Sequence, residues 1–306
     1  MLPMQSARLL FVFLIASLPC YTQPFIQILG VAQDGGYPHI GCEKSCCEPA
    51  WKDTSKKQWV VSLALVDPAS QQWWLFEATP DIKEQLHAFQ QSTRGVYPYL
   101  PTGIFVTHAH MGHYTGLMQL GREALGSKEV PVYALPRFEK YLRTNGPWSQ
   151  LVALNNIELK QLQQEQPVLL TNTIQVTAFT VPHRDEFSET AGFRISFGGK
   201  KVLFIPDIDK WEKWSVKIED AVQAADVALL DATFLTATEL PNRDIQEIPH
   251  PLVVETMARF NAKPELKKRI WFIHFNHTNP LMWNKTEQEK IRTQGFQVAE
   301  TGMIIR

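Results

Sequence analysis

Three histidines fall within six residues at His108-Ala109-His110-Met111-Gly112-His113. They follow Ile104-Phe105-Val106-Thr107, an apolar run that reads as a buried strand. In an extended segment residues two apart point the same way, so His108 and His110 share a face. Gly112 lets the backbone turn sharply before His113. Neutral imidazole is the commonest zinc ligand, and three convergent imidazoles suit Zn²⁺. Three more apolar runs end in a metal-ligating residue type: Val181-Pro182-His183, Phe204-Ile205-Pro206-Asp207 and Phe272-Ile273-His274. A lone histidine after a strand carries little weight, but four such endings in one chain point to a metal-binding sheet edge.

The chain has four cysteines: Cys20, Cys42, Cys46 and Cys47. The last three lie within six residues, and an odd number in so short a stretch suits disulfides badly. Adjacent Cys46 and Cys47 could bridge only with backbone strain. Three thiolates and one outside ligand would instead close a tetrahedral zinc site.

Strands are predicted at Phe25–Val31, Val60–Val66, Trp73–Glu77, Val130–Ala134, Ile157–Leu162, Ile174–Val181, Val227–Asp231 and Arg269–Ile273. Phe193–Phe197 and Lys201–Ile205 flank Gly198-Gly199 as a hairpin. Helical spacing covers Asp81–Gln90, Thr115–Leu125, Phe138–Thr144, Ala221–Ala225 and Pro251–Phe260, and a terminal hairpin is expected to close at Ile304-Ile305. No short repeat or long linker interrupts them, so residues 23–306 read as one domain of mixed α and β structure. At 306 residues, 44% hydrophobic and 20% charged, the chain can bury one large core. A net charge of −1 gives no electrostatic footprint for nucleic acid. Residues 1–22 read as a signal peptide: an arginine, then Leu9 to Leu18, an apolar run too short to span a bilayer. The expected mature protein is exported, periplasmic or secreted, without a membrane span; a lipid anchor on Cys20 is disfavoured by Leu18-Pro19. The oligomeric state is left open.

The histidine stretch resembles the H-x-H-x-D-H signature of the metallo-β-lactamase-fold superfamily. That resemblance implies an α/β (α+β) fold, an αββα sandwich of two mixed β-sheets flanked by helices with metals at one sheet edge. Carried over by motif, His108, His110 and His183 resemble the first metal site, Asp207 the bridging carboxylate, and His113, Asp207 and His274 the second site. Glu77 resembles the acidic residue that braces the histidine loop. The family's aspartate falls at Gly112, so one metal is expected to be held tightly and a second weakly or not at all. A glycine-rich loop followed by G-C-x-x-x-C-C resembles the zinc knuckle of two branches. One contains coenzyme PQQ synthesis protein B, the other the cyclic-ribose phosphodiesterase of phosphonate breakdown. Thr79-Pro80-Asp81-Ile82 and Thr278-Asn279-Pro280 resemble the first branch. His277, three residues past His274, resembles the second, which implies a structural zinc on Cys42, Cys46, Cys47 and His277.

Zinc on such ligands lowers the pKa of its water to about 7, supplying hydroxide to attack a carbonyl or phosphorus. His250 resembles a loop histidine that could protonate the leaving group, Asp231 could brace the site, and His39 is a further pocket candidate. The expected function is a zinc-dependent hydrolase of a small ester or phosphodiester-type substrate. The alternatives are an accessory protein like coenzyme PQQ synthesis protein B, or a metal-dependent carrier without catalysis. No G-x-S-x-G elbow or phosphate-cradling glycine loop offers a competing chemistry.

Overall fold

Residues 23–241, 244 and 247–306 are described by the computed structural model; the expected signal peptide over residues 1–22, with Cys20, lies outside them. Runs rich in β-branched and aromatic residues form two mixed seven-stranded sheets. The first begins with β1 (Phe25–Gly30), β2 (Ser62–Asp67) and β3 (Gln72–Phe76), paired antiparallel. It continues through β4 (Gly103–Phe105), β5 (Val130–Ala134) and β6 (Ile157–Gln161), paired parallel. The second repeats this plan. Strands β7 (Pro167–Thr171), β8 (Ile174–Val181), β9 (Thr190–Phe197) and β10 (Lys200–Ile205) are antiparallel. Then β11 (Val227–Asp231), β12 (Ile270–Ile273) and β13 (Gln297–Val298) add on in parallel. The last strand, β14 (Ile304–Ile305), returns to the first sheet beside β1.

Both faces of the first sheet are covered at its centre, so β1 and β2 are buried throughout rather than alternately. Ile26, Ile28, Trp74, Phe76 and Phe105 face the second sheet. Phe25, Leu29, Trp73, Leu75 and Ile104 face outward, against Ile82, Leu86 and Phe89 of α2 (Ile82–Ser92) and Phe138 of α4 (Pro136–Thr144). Between these helices in the chain lies α3 (Met111–Tyr114); α1 is Glu48–Lys52 and α5 is Trp148–Ala153. The remaining helices are α6 (Ile218–Gln223), α7 (Val253–Arg259) and α8 (Lys285–Thr293). Val222, Val253 and Met257 seal the outer face of the second sheet. Phe105 marks the centre of the sandwich, stacked on Tyr133 at 4.4 Å and Phe76 at 4.9 Å, with Phe193 of the facing sheet edge-on at 5.7 Å. This is the expected αββα arrangement.

Two local expectations are corrected. The helix predicted over Thr115–Leu125 is instead the short α3 followed by a 3₁₀ turn at Thr115–Leu120. Gly116 packs its backbone onto residues 78 and 79, where a Cβ would meet Thr79 O at 2.0 Å, and this contact fixes the chain path there. The terminal hairpin does not form either, because β13 and β14 lie in different sheets. The chain crosses between them through Ala299, whose N–H donates to Phe272 O, and Gly302, whose N–H donates to Ile28 O. The edge strand β7 and helices α1, α5 and α8 were not anticipated; α8 is largely polar, so its apolar pattern is weak.

Candidate metal centre

The candidate residues emerge where strands end. Glu77 follows β3, His274 follows β12, and His108, His183 and Asp207 each come shortly after β4, β8 and β10. Side chains at the carboxyl ends of neighbouring strands converge on one edge, the usual binding edge of such sheets. Hydrogen bonds fix these exits: Glu77 N–H donates to Phe105 O at 2.8 Å, Ala191 N–H to Thr107 O at 3.0 Å and Ala232 N–H to Ile273 O at 2.9 Å. Glu77 and His274 adopt left-handed backbone, with φ of 71° and 67°. Neither is glycine, so this conformation is costly and the surrounding structure must hold it.

A first cluster gathers His108, His110, His183 and Asp207. His108 Nε2 is 2.8 Å from His110 Nδ1, and His183 Nε2 is 3.2 Å from the same atom. Asp207 Oδ2 lies 3.4 Å from His108 Nε2 and 3.2 Å from His183 Nε2. Outer partners orient the rings. Thr107 Oγ1 is bonded to His108 Nδ1 at 2.9 Å, and Glu186 Oε2 to His110 Nε2 at 3.1 Å. The Glu186 carboxylate only accepts, so His110 Nε2–H donates to it and His110 Nδ1 keeps its lone pair, while the Thr107 hydroxyl, which can donate or accept, anchors the His108 ring. Burial lowers the pKa of both imidazoles, His108 well below its ordinary value, which keeps them in the ligating form.

A second cluster gathers His113 and His274 with Asp34, a residue sequence reasoning did not single out. Asp34 Oδ1 is 3.4 Å from His113 Nε2, and Asp207 Oδ2 lies 3.8 Å from that same nitrogen, so Asp207 stands between the clusters. His113 Nδ1 faces Glu77 Oε1 at 3.5 Å, and His274 Nδ1 is bonded to Thr233 Oγ1 at 3.1 Å. Glu77 is fully buried and its Oε2 accepts from Thr107 N–H, as expected of a brace for the histidine loop. Burial disfavours charge on His113, but Glu77 and Asp34 outweigh it and hold its pKa well above the usual value. Asp34 feels burial the other way, yet its contact with His113 keeps its carboxyl below the usual range.

His250 is buried too. Its Nδ1 is 2.9 Å from Asp231 Oδ2 and 3.2 Å from Asp207 Oδ1. Burial alone would lower its pKa; the two carboxylates instead raise it to about 10. Asp231 also accepts from Thr233 N–H and Thr233 Oγ1–H, tying the end of β11 to the same network.

The third cluster is Cys42, Cys46, Cys47 and His277, with all three cysteines free of disulfides. The loop after β1 brings the thiols to the segment after β12, and Cys42 Sγ is 3.9 Å from Cys46 Sγ. Burial and the neighbouring thiols push Cys47 up to about 12. Burial, with His39 and Lys44 nearby, takes His277 down to about 4. His39 therefore belongs here, its ring 4.4 Å from that of His277, rather than with the first two clusters.

The donor atoms suit bound cations. Asp34 Oδ1, His113 Nε2, His274 Nε2 and His277 Nδ1 are buried without a hydrogen-bond partner, an expensive condition that a cation would relieve. Beside His250 a cavity of about 420 Å³ opens, lined among others by Lys44, Arg184, Phe234, Glu239 and Ile248.

Beside Gly112, where the family motif places its aspartate, the structure puts the carboxylate of Asp34. A Cβ on Gly112 would lie 2.2 Å from Asp34 Oδ1 and 2.6 Å from its Cα. The available signal was Asp34-Gly35-Gly36 itself, a carboxylate on a flexible turn just after a buried strand. Only the folded chain shows where it points.

Residues 72–275 match the family model described as a Beta-lactamase superfamily domain. Coenzyme PQQ synthesis protein B of Methylorubrum extorquens strain PA1 is 26% identical over 92% of this chain and 99% of its own length. The same-named protein of Methylococcus capsulatus is 25% identical, with the same coverage. Among solved structures, zinc-bound PqqB from Methylobacterium extorquens superposes with a TM-score of 0.75 at 22% identity, covering 92% of this chain and 99% of that one. A diphosphatase of the PhnP family superposes with a TM-score of 0.67 at 20% identity, covering 92% and 96%. With the family model spanning more than half of its length, and with two seven-stranded mixed sheets between helices, this chain belongs to the beta-lactamase superfamily.

Proposed function

We propose that the chain is a metal-dependent hydrolase of a small ester or phosphodiester-type substrate. The observation that carries this reading is the meeting of His108 Nε2, His110 Nδ1, His183 Nε2 and Asp207 Oδ2, at 2.8 to 3.4 Å between neighbours. A zinc-type cation bound by these atoms would supply Lewis acidity toward the scissile group and an activated water near neutral pH. The chain's own residues do the rest. Glu186 accepts from His110 Nε2–H and so leaves His110 Nδ1 free to ligate, and Thr107 Oγ1 anchors the His108 ring. Asp207 joins the two clusters through one oxygen. Lys44 and Arg184 line the cavity together with Glu239 and Glu247, and Phe234 and Ile248 form an apolar part of its wall. His250 lines the same cavity and holds a proton at Nδ1 between Asp231 and Asp207. From there His250 would be placed to donate a proton to a leaving group in the cavity.

The test is hydrolysis by chelator-stripped protein reloaded with zinc, against chromogenic phosphodiesters, lactones and β-lactams. Turnover of at least one class, lost in His110→Ala, is expected. No turnover of any, with His110→Ala unchanged in metal content, would end the hydrolase reading.

A second reading rests on the full-length relatives named coenzyme PQQ synthesis protein B: a related accessory step, acting on a compound of that pathway. Restoration of PQQ production in a strain lacking that protein would favour it. Binding of a ligand without turnover would favour the carrier alternative. Export is part of the proposal, with residues 1–22 removed. N-terminal sequencing of the native protein tests it, and a cytoplasmic chain that keeps Met1 reverses it.

A further inference from the structure

Position 112 is where the histidine motif should carry a carboxylate, and it carries glycine. Nothing in the backbone requires this. Gly112 is not among the glycines with positive φ, so a side chain there would meet no torsional penalty. What forbids one is a neighbour. The space a Cβ would fill is taken by Asp34, with its Oδ1 at 2.2 Å, its Cα at 2.6 Å and its own Cβ at 3.1 Å. Because the Cα is involved, a rotamer change of Asp34 would not make room. The loop itself would have to withdraw.

That loop is held in place. Gln33 N–H donates to Phe275 O at 2.8 Å, Phe275 N–H donates to Val31 O at 2.8 Å, and Asn276 Nδ2 donates to Gln33 Oε1 at 2.6 Å. Asp34 is thus laced to the segment that carries His274. Gly36 N–H donates back to Gln33 O and closes the turn that presents the carboxylate. Asp34 Oδ1 is buried with no hydrogen-bond partner and groups with the equally unpartnered Nε2 atoms of His113 and His274.

We infer that Asp34 is the oxygen ligand of a second metal position, with His113, His274 and the shared Asp207, and that residues 34 and 112 are one site reached by two backbones, only one of which can carry the carboxylate. This deepens the proposed function and rests on its reading of the centre. It reverses what the motif alone suggests: the second position is complete, and Gly112→Asp is a collision rather than a repair. The ligand class is a divalent cation that accepts mixed nitrogen and oxygen donors, such as zinc, manganese or iron.

The test is cobalt(II) and zinc titration of the intact chain and three variants, with metal content read by elemental analysis. Thiolate-to-cobalt absorption reports the cysteine cluster separately from the histidine–carboxylate positions. In Asp34→Asn, which keeps the shape, the cysteine and first-position signals should persist. The affinity of the second position should fall by more than the roughly 10–100-fold that losing an outer partner costs. Gly112→Asp alone should bind the second metal more weakly than wild type and melt at a lower temperature. Asp34→Gly combined with Gly112→Asp should recover the second metal. If the double variant does not fold, by circular dichroism, Asp34→Asn decides alone. A smaller loss in Asp34→Asn, or tighter binding in Gly112→Asp with Asp34 in place, overturns the inference while leaving the first position standing. A wild type that binds metal only at its cysteines overturns both this inference and the metal-centre reading beneath it.

Discussion

His274 and His277 stand three residues apart yet serve different clusters: His274 joins Asp34 and His113, and His277 joins Cys42, Cys46 and Cys47. The segment between them is anchored by Phe275 N–H donating to Val31 O at 2.8 Å and Asn276 N–H donating to Thr233 O at 3.0 Å. A zinc held by the cysteine cluster would therefore clamp the loop that presents His274. Cys47→Ser should lose one zinc per chain and lower the melting temperature by several degrees, given roughly 2–4 °C per kcal/mol in a chain of this size class. It should also weaken metal binding at His274. Elemental analysis and thermal denaturation check it. Unchanged zinc content would rule out the clamp.

Glu77 touches His113 and Thr107 rather than standing among the inward donors. Removing its charge should leave the donor atoms in place but loosen their aim. Glu77→Gln is expected to weaken the histidine–carboxylate metals by about 10–100-fold, with the cysteine zinc untouched. Competition against a chelator of known affinity measures this.

His250 makes the metal-free protein sensitive to pH. Its pKa rises from the ordinary 6.5 to about 10 on folding, because Asp231 and Asp207 favour the charged ring more than burial opposes it. A raised histidine stabilises fully below its unfolded pKa, and that contribution disappears as pH climbs through the folded value. The difference in melting temperature between metal-free wild type and His250→Asn should be greatest near pH 6 and shrink steadily toward pH 10. A constant difference would mean that His250 does not carry the charge.

Phe105 joins the two sheets through Phe76, Tyr133 and Phe193. Phe105→Ala should cost about 3–5 kcal/mol by opening a cavity in close-packed surroundings. Urea denaturation gives the number. Because Phe105 ends the strand that leads to His108, first-position metal affinity should fall as well.

Much of this protein was legible before folding because its signals are local. A hydrophobic run that stops at histidine or aspartate declares both a strand and a donor at its end, as at Ile174–Val181 and Val227–Asp231, where the predicted strands match β8 and β11. Three histidines in six residues and three cysteines in six residues need no partner to be noticed. Short-range patterns failed where a distant contact governs the path: at Gly116, pressed onto Thr79, and at residues 299–302, which pass from one sheet to the other. The sequence alone determined which residue types could hold a metal and roughly which strand ends would carry them. Only the tertiary structure decided that Asp34 takes the space above Gly112. Those residues lie on separate loops, and no local rule of spacing links two side-chain positions that share a volume only once both sheets have formed.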